Sequence, residues 1–174
     1  MSTKFIYALT LTICGAVFNL LMFFTGYQTE KLAAGQQLQW IGLIMMGVVL
    51  WLGIKAVRQE SENQAMSYGR GVGTGVLISL YSGLMSSVYQ FIHFKFVNPN
   101  FADYQIEMLR SKWAAAGMGD AQMEQAEHFT RMMMTPLMSA ILAPIFVVVV
   151  GLIISLIIAI FLKRNAPAEA VAGA

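Results

Sequence analysis

Few side chains in this chain can handle protons, metals or electrons: two histidines, His93 and His128, one cysteine, Cys14, nine carboxylates and 13 methionines. A zinc site needs an HExxH pair or a Cys/His cluster at ligand spacing, and neither surrounds these histidines. Catalysis needs a nucleophile, a base and an orienting group brought together. No stretch of this sequence assembles the three, so the expectation is a protein that is not an enzyme and holds no cofactor. Cys14 has no second cysteine to pair with and lies in an apolar run, where a lone thiol reads as a small packing residue. Six methionines, Met118, Met123, Met132, Met133, Met134 and Met138, crowd one region. Thioethers favour Cu(I), but no cysteine reinforces such a site. Pliable apolar filling, or an adaptable partner surface, is the preferred reading. Gly69, Gly71, Gly73 and Gly75 resemble a phosphate-cradling loop only in composition, since that motif follows a strand and none is visible here.

The elements that must position these residues are apolar. Hydrophobic residues make up 57% of the chain and charged residues 11%, with a mean hydropathy of +0.64. A soluble domain carries about 25% charged residues. Four apolar stretches, 5–27, 38–57, 71–94 and 135–162, are each long enough to cross a bilayer. A hydrocarbon core of about 30 Å takes roughly 20 helical residues. The first run is longer than the apolar core of a signal peptide and no A-x-A-like site follows, so it reads as a retained helix. The expected fold is all-α: an integral membrane four-helix transmembrane bundle forming one domain over residues 1–164, with a disordered tail over 165–174.

Residues 28–37 form a short polar connection and 58–70 a second one. Asn98-Pro99-Asn100 breaks the third helix. Residues 101–134 are the one substantial segment outside the apolar runs. Phe101, Tyr104, Met108 and Leu109 recur there at helical spacing, Gly117-Met118-Gly119 interrupts, and Asp120 is an expected N-cap for a second helix. This segment reads as an amphipathic helical hairpin between helices three and four, lying on the membrane surface or docking a partner. Phe101, Tyr104, Met108, Trp113 and Met123 are its candidate partner or membrane-surface residues. Pro136 suits the first turn of the last helix. Lys4, Lys55, Arg58, Arg70, Lys163 and Arg164 cluster tightly at helix ends on one side, which places both termini in the cytoplasm.

Small residues recur every fourth position in the third helix, Gly71, Gly75, Ser79, Gly83 and Ser87, and again in the fourth as Gly151, Ser155 and Ala159. In lipid, close backbone approach over small residues supplies helix packing. These two faces are expected to make tight helix contacts, with each other as one arrangement. No Asp or Glu lies in any apolar stretch, which disfavours ion-coupled transport. Nucleic acid is excluded by a net charge of only +2, scattered along the chain. Two function classes remain. The first is a non-enzymatic scaffold, accessory or regulatory subunit, with membrane lipids, another membrane protein or a second copy as partner. The second is a small channel or carrier for a neutral or hydrophobic solute, with Asn19, Gln90, Ser86 and Ser87 lining a cavity.

Gly53-Ile54-Lys55 to Arg58, the Ser67-Tyr68-Gly69 entry to the third helix, Lys95-Phe96-Val97-Asn98-Pro99-Asn100-Phe101, Gly117-Met118, the 132–136 stretch and the 151–160 run occur in order. Together they resemble domain-of-unknown-function family 4199, a group of uncharacterised bacterial membrane proteins. The resemblance runs from about the second helix to Arg164, with Asn98-Pro99-Asn100-Phe101 its most specific part. The chain departs from it in carrying His93 within an aromatic run and in its glycine-rich 69–75 segment. The resemblance implies a four-helix protein of the bacterial inner membrane and brings no activity or site residue with it.

Overall fold

The computed structural model describes residues 1–164, so the expected tail 165–174 lies outside the described residues. Among these, every regular element is helical: α1 (Thr3–Phe24), α2 (Leu32–Gln59), α3 (Tyr68–Ile92), α4 (Phe101–Ala115), α5 (Asp120–Met133) and α6 (Pro136–Leu162). Four of them, α1, α2, α3 with its continuation to Val97, and α6, are long and apolar enough to cross a membrane. None of the four contains a carboxylate. Local chemistry sets their ends. Ser67 and Thr135 cap α3 and α6 through their hydroxyls, which accept from Arg70 N and Met138 N, and Pro136 opens α6 where no N–H is needed. Asp120 does not cap α5; Gly119 holds that position, and Gln122 reaches back to its N–H, leaving Asp120 in the first turn. The second helix also starts earlier than expected, at Leu32: Leu32, Ala33 and Ala34 are good helix formers, and they carry the first turn through Gly35, Gln36 and Gln37.

α3 packs most extensively on α6. The two run antiparallel, and the small residues meet in register. A Cβ on Gly71 would lie 3.2 Å from Ala159 Cβ, one on Gly75 would lie 2.7 Å from Ser155 Cβ, and one on Gly151 would lie 2.6 Å from Ser79 Cβ. Ser79 and Ser155 are fully buried, each over the glycine of the facing helix. Gly83 continues the row against Pro144, whose Cα lies 2.8 Å from the position a Cβ would take.

Pro144 creates a second demand. It has no N–H, so the helical bond to the carbonyl of Ala140 is missing. In lipid no water is at hand to replace it, and a serine of a neighbouring helix is one remedy. Ser87 supplies it: its hydroxyl donates to Ala140 O.

The dense core lies in the half of the molecule where α1 and α3 begin and α2 and α6 finish. It is built from Ala8, Leu11, Val49, Leu50, Ile54, Ile78, Ile158 and Leu162 among others. A main-chain pair closes this end, with Met66 N donating to Arg164 O and Arg164 N to Met66 O, both at 2.9 Å. At the opposite end α4 and α5 pack together through Arg110–Glu127 at 2.7 Å, Arg131–Asp103 at 2.6 Å and Arg131–Glu127 at 3.2 Å.

Two outcomes test this packing. Gly75→Ala is expected to lower stability in an SDS titration by about 1–3 kcal/mol, the usual cost of overpacking, and Ser155→Gly in the same chain returns most of the loss. Ser87→Ala should cost about 1–3 kcal/mol by orphaning a buried carbonyl. Adding Pro144→Ala restores an N–H for that carbonyl, so the double variant is less destabilised than Ser87→Ala alone; simple additivity would refute the assignment.

Candidate functional site: an uncharged, carboxamide-walled pair of cavities

The other half of the bundle is polar and less filled. One cavity of about 210 Å³ lies between α1, α2, α3 and α6, beside Pro144, where Ala143, Phe146 and Val147 form part of its wall. Its polar lining is Asn19, Ser82, Ser86, Tyr89 and Gln90. A second cavity of about 240 Å³ lies nearer α4, with Asn19, Gln28, Gln39 and Gln105 among Tyr27, Phe94 and Phe101. Phe18 and Asn19 line both, so they form the partition between them. No charged residue lines either cavity.

Backbone features bring these groups together. The connection between α1 and α2 turns at Gly26, with φ +81°, and lies down on the first turn of α2. Gly35 permits that approach, since a Cβ there would come within 3.0 Å of the Tyr27 carbonyl carbon. Gln28 is thereby directed inward. On the facing side α3 ends in a π-helical turn over His93–Val97, closed by Asn98 N donating to His93 O at 2.8 Å. Such turns widen a helix locally and recur at functional sites. His93 is fully buried, with Phe23 and Phe94 edge-on to its ring.

The four side chains Asn19, Gln28, His93 and Tyr89 form one chain of contacts. Gln28 meets Asn19 at one end of its amide and His93 Nε2 at the other, the latter at 2.9 Å. His93 Nδ1 meets the Tyr89 hydroxyl at 3.2 Å, and that hydroxyl reaches Ala16 O, also at 3.2 Å. Asn98 Nδ2 donates to Gln28 O at 3.4 Å. Proton counting decides how the chain runs. The Tyr89 hydroxyl has one hydrogen and two acceptors if His93 carries its proton on Nε2. The amides select that tautomer: Gln28 Nε2 donates to Asn19 Oδ1 and Gln28 Oε1 accepts from His93 Nε2–H, so the single Tyr89 hydrogen serves His93 Nδ1 and Ala16 O between them, with a neutral ring and no carboxylate.

Gln90 is different. Its Oε1 is buried in the wall of the inner cavity with no protein partner. A buried acceptor left unmatched costs free energy, so it favours a ligand that brings a donor.

Of the polar residues expected to line a cavity, Asn19, Ser86 and Gln90 converge on the inner one, whereas Ser87 serves the Ala140 carbonyl instead. The residues expected on a partner or membrane surface divide. Phe101 stacks on Phe94 at 4.7 Å and lines the outer cavity. Tyr104 and Met108 face the start of α2 across an open cleft, Met123 lines a groove between α4 and α5, and Trp113 is half-buried. Sequence reasoning did not single out Gln28, Tyr89, Gln105 or the burial of His93. The recurrence of uncharged amides near the α4-side helix ends was the available signal. Among the described residues no group of His, Cys, Asp and Glu could hold a metal ion.

A family model described as "Protein of unknown function (DUF4199)" matches residues 6–164, taking in the first long helix as well as the region from the second onward. No curated protein and no solved structure matches the chain. The proton assignment has a direct check: ¹⁵N solid-state NMR of histidine-labelled protein should show His93 as the neutral Nε2–H tautomer, and an Nδ1–H or imidazolium signature would overturn it.

Proposed function

We propose that this chain, which belongs to the DUF4199 family, is a multi-pass protein of the bacterial inner membrane that binds and carries a small uncharged solute. In this reading the four long helices form a transmembrane bundle, with α4 and α5 as a hairpin at one end and both termini on the cytoplasmic side. The protein is not an enzyme here; it recognises and moves its solute without changing it. The observation that carries the reading is Gln90 Oε1, a buried acceptor with no protein donor, in the wall of a cavity that no charged residue lines.

The chemistry of the lining selects the solute class. Carboxamides offer donors and acceptors but no charge, so an ion gains nothing here to offset the loss of its hydration. Aromatic, methionine and small or aliphatic residues cover the remaining wall. A molecule with hydroxyl or amide groups and an apolar face meets both. Pockets of this kind, mostly apolar with a few placed polar groups, are the usual form of small-molecule sites.

A second reading, an accessory or scaffold protein, draws support from α5. That helix buries no residue and leaves Phe129 and Met132 exposed. Exposed apolar side chains of this size suit a lipid surface, another membrane protein or a second copy of this chain.

Reconstituted liposomes separate the two. Uptake of an uncharged panel (glycerol, urea and ribose) should exceed that of protein-free vesicles for at least one member. Gln90→Leu should lower that uptake at least tenfold while leaving the unfolding midpoint within the range of wild type, because Gln90 Oε1 has no protein partner to lose. Absence of uptake across uncharged solutes, together with a reproducible heteromeric complex in native mass spectrometry, would move the assignment to the accessory reading.

A further inference from the structure

The end opposite the cavities has another chemistry. Lys4, Lys55, Arg58, Arg70, Lys163 and Arg164 gather where α1 and α3 begin and α2 and α6 finish, against only Glu60 and Glu62 among the described residues. Glu60 accepts from the Thr3 hydroxyl. Among the described residues none of these six cations is in an ion pair, whereas all three ion pairs lie within α4 and α5.

Arg58 is the informative member. It is half-buried, and its Nη1 donates to Leu162 O at 3.3 Å, one of the carbonyls left open where α6 ends. Its Nε is buried with no protein partner. Arg164 follows two residues after Leu162: its main chain is paired to Met66, and its Nη1 reaches Gln64 Oε1 at 3.5 Å. The guanidinium of Arg58 is thus fixed on a helix end and partly removed from water, with no carboxylate among the described residues to balance it. A charge in that position is costly unless an anion is supplied. Guanidinium forks match phosphate oxygens two at a time, and the surrounding lysines add attraction without geometry. The helices here emerge from apolar segments, so the phosphate within reach is that of the lipid leaflet.

We propose that the Arg58–Arg164 corner binds the headgroup of an anionic phospholipid, with Lys55, Arg70 and Lys163 as its electrostatic surround. The lipid phosphate is the counter-ion that the described residues do not provide. This site stands apart from the cavities in both position and chemistry, and it holds whether or not the protein carries a solute.

The test uses the intact protein in nanodiscs containing phosphatidylglycerol and phosphatidylcholine in equal amounts, followed by native mass spectrometry of the retained lipid. Phosphatidylglycerol should be retained in preference. Arg58→Gln should reduce that preference roughly fivefold, the attraction that one cation exerts on an anionic lipid surface. Arg58→Lys keeps the charge and loses the fork, so it should fall between, and Arg131→Gln at the other end should change nothing. If Arg58→Gln does not fold, the exposed pair Arg70→Gln and Lys163→Gln tests the surround in the same way. Equal retention of the two lipids, or an unchanged preference in the variants, overturns the proposal. Displacement of the lipid by millimolar inorganic phosphate would also overturn it, in favour of a free-phosphate site.

Discussion

The closeness of α3 to α6 is the constraint on which the remaining structure depends. Apolar side chains gain nothing from association when the solvent is itself apolar, so helices in lipid are held by dispersion and by the occasional hydrogen bond. Both forces fall off within a fraction of an ångström. Gly71, Gly75 and Gly151 allow the two backbones to approach, and Ala159, Ser155 and Ser79 fill what the glycines leave open. The alternation is reciprocal: each helix presents a glycine where the other presents a small side chain. That reciprocity sets the register of the pair, because a shift along the axis brings two side chains together at one level and two glycines at the next. α1 and α2 then pack around a fixed rod.

The same row also explains why the interior has two halves. Toward the end with both Met66 and Arg164, the row is continuous and large aliphatic side chains close around it into a dense core. Toward α4, Pro144 replaces the small residue, Ser87 is taken up by the carbonyl that the proline frees, and the space beside it is walled by amides and aromatics. A proline in mid-helix is destabilising on its own. Here its unmet carbonyl is answered by a neighbouring helix, and the inner cavity lies next to it. Packing irregularity and polar chemistry coincide in space, the arrangement expected where a bundle gives up close packing to hold something other than itself.

Charge is sorted with equal strictness. The four long helices hold no carboxylate, the cavity walls hold no charge at all, and the ion pairs stand outside, between α4 and α5. Exposed pairs of that kind contribute little to stability, on the order of 1 kcal/mol or less each. Among the described residues the cations at the other end have no such partners. One molecule therefore presents three electrostatic environments in sequence along its axis: self-compensated, neutral and positive. The solute proposal rests on the neutral middle and the headgroup proposal on the positive end, so the two stand on separate observations.

Much of this was legible in the residues. Length and hydropathy alone identify four helices of membrane-spanning length, because backbone hydrogen bonds in lipid must be met within the segment and few solutions exist. The four-residue recurrence of small side chains, Gly71 to Ser87 and Gly151 to Ala159, is equally local information, since it follows from helix geometry. Asn19, Ser86 and Gln90 stand out as polar residues in apolar runs. What one dimension does not contain is which polar group answers which. Ser86 and Ser87 are neighbours of the same type, yet one lines a cavity and the other caps a carbonyl freed 53 residues away in sequence. His93 resembles an interfacial residue by its aromatic neighbours, but the π turn and the folded-back Gln28 bury it completely. Arg58 resembles any basic residue at a helix end until Leu162 O is found beside it. Composition and periodicity determine which faces are apolar and which residues sit at helix ends, because each depends on near neighbours. Which buried polar groups find a partner, and which, like Gln90 Oε1, find none, was decided by tertiary structure alone, because hydrogen bonds act over about 3 Å in space whatever the separation along the chain.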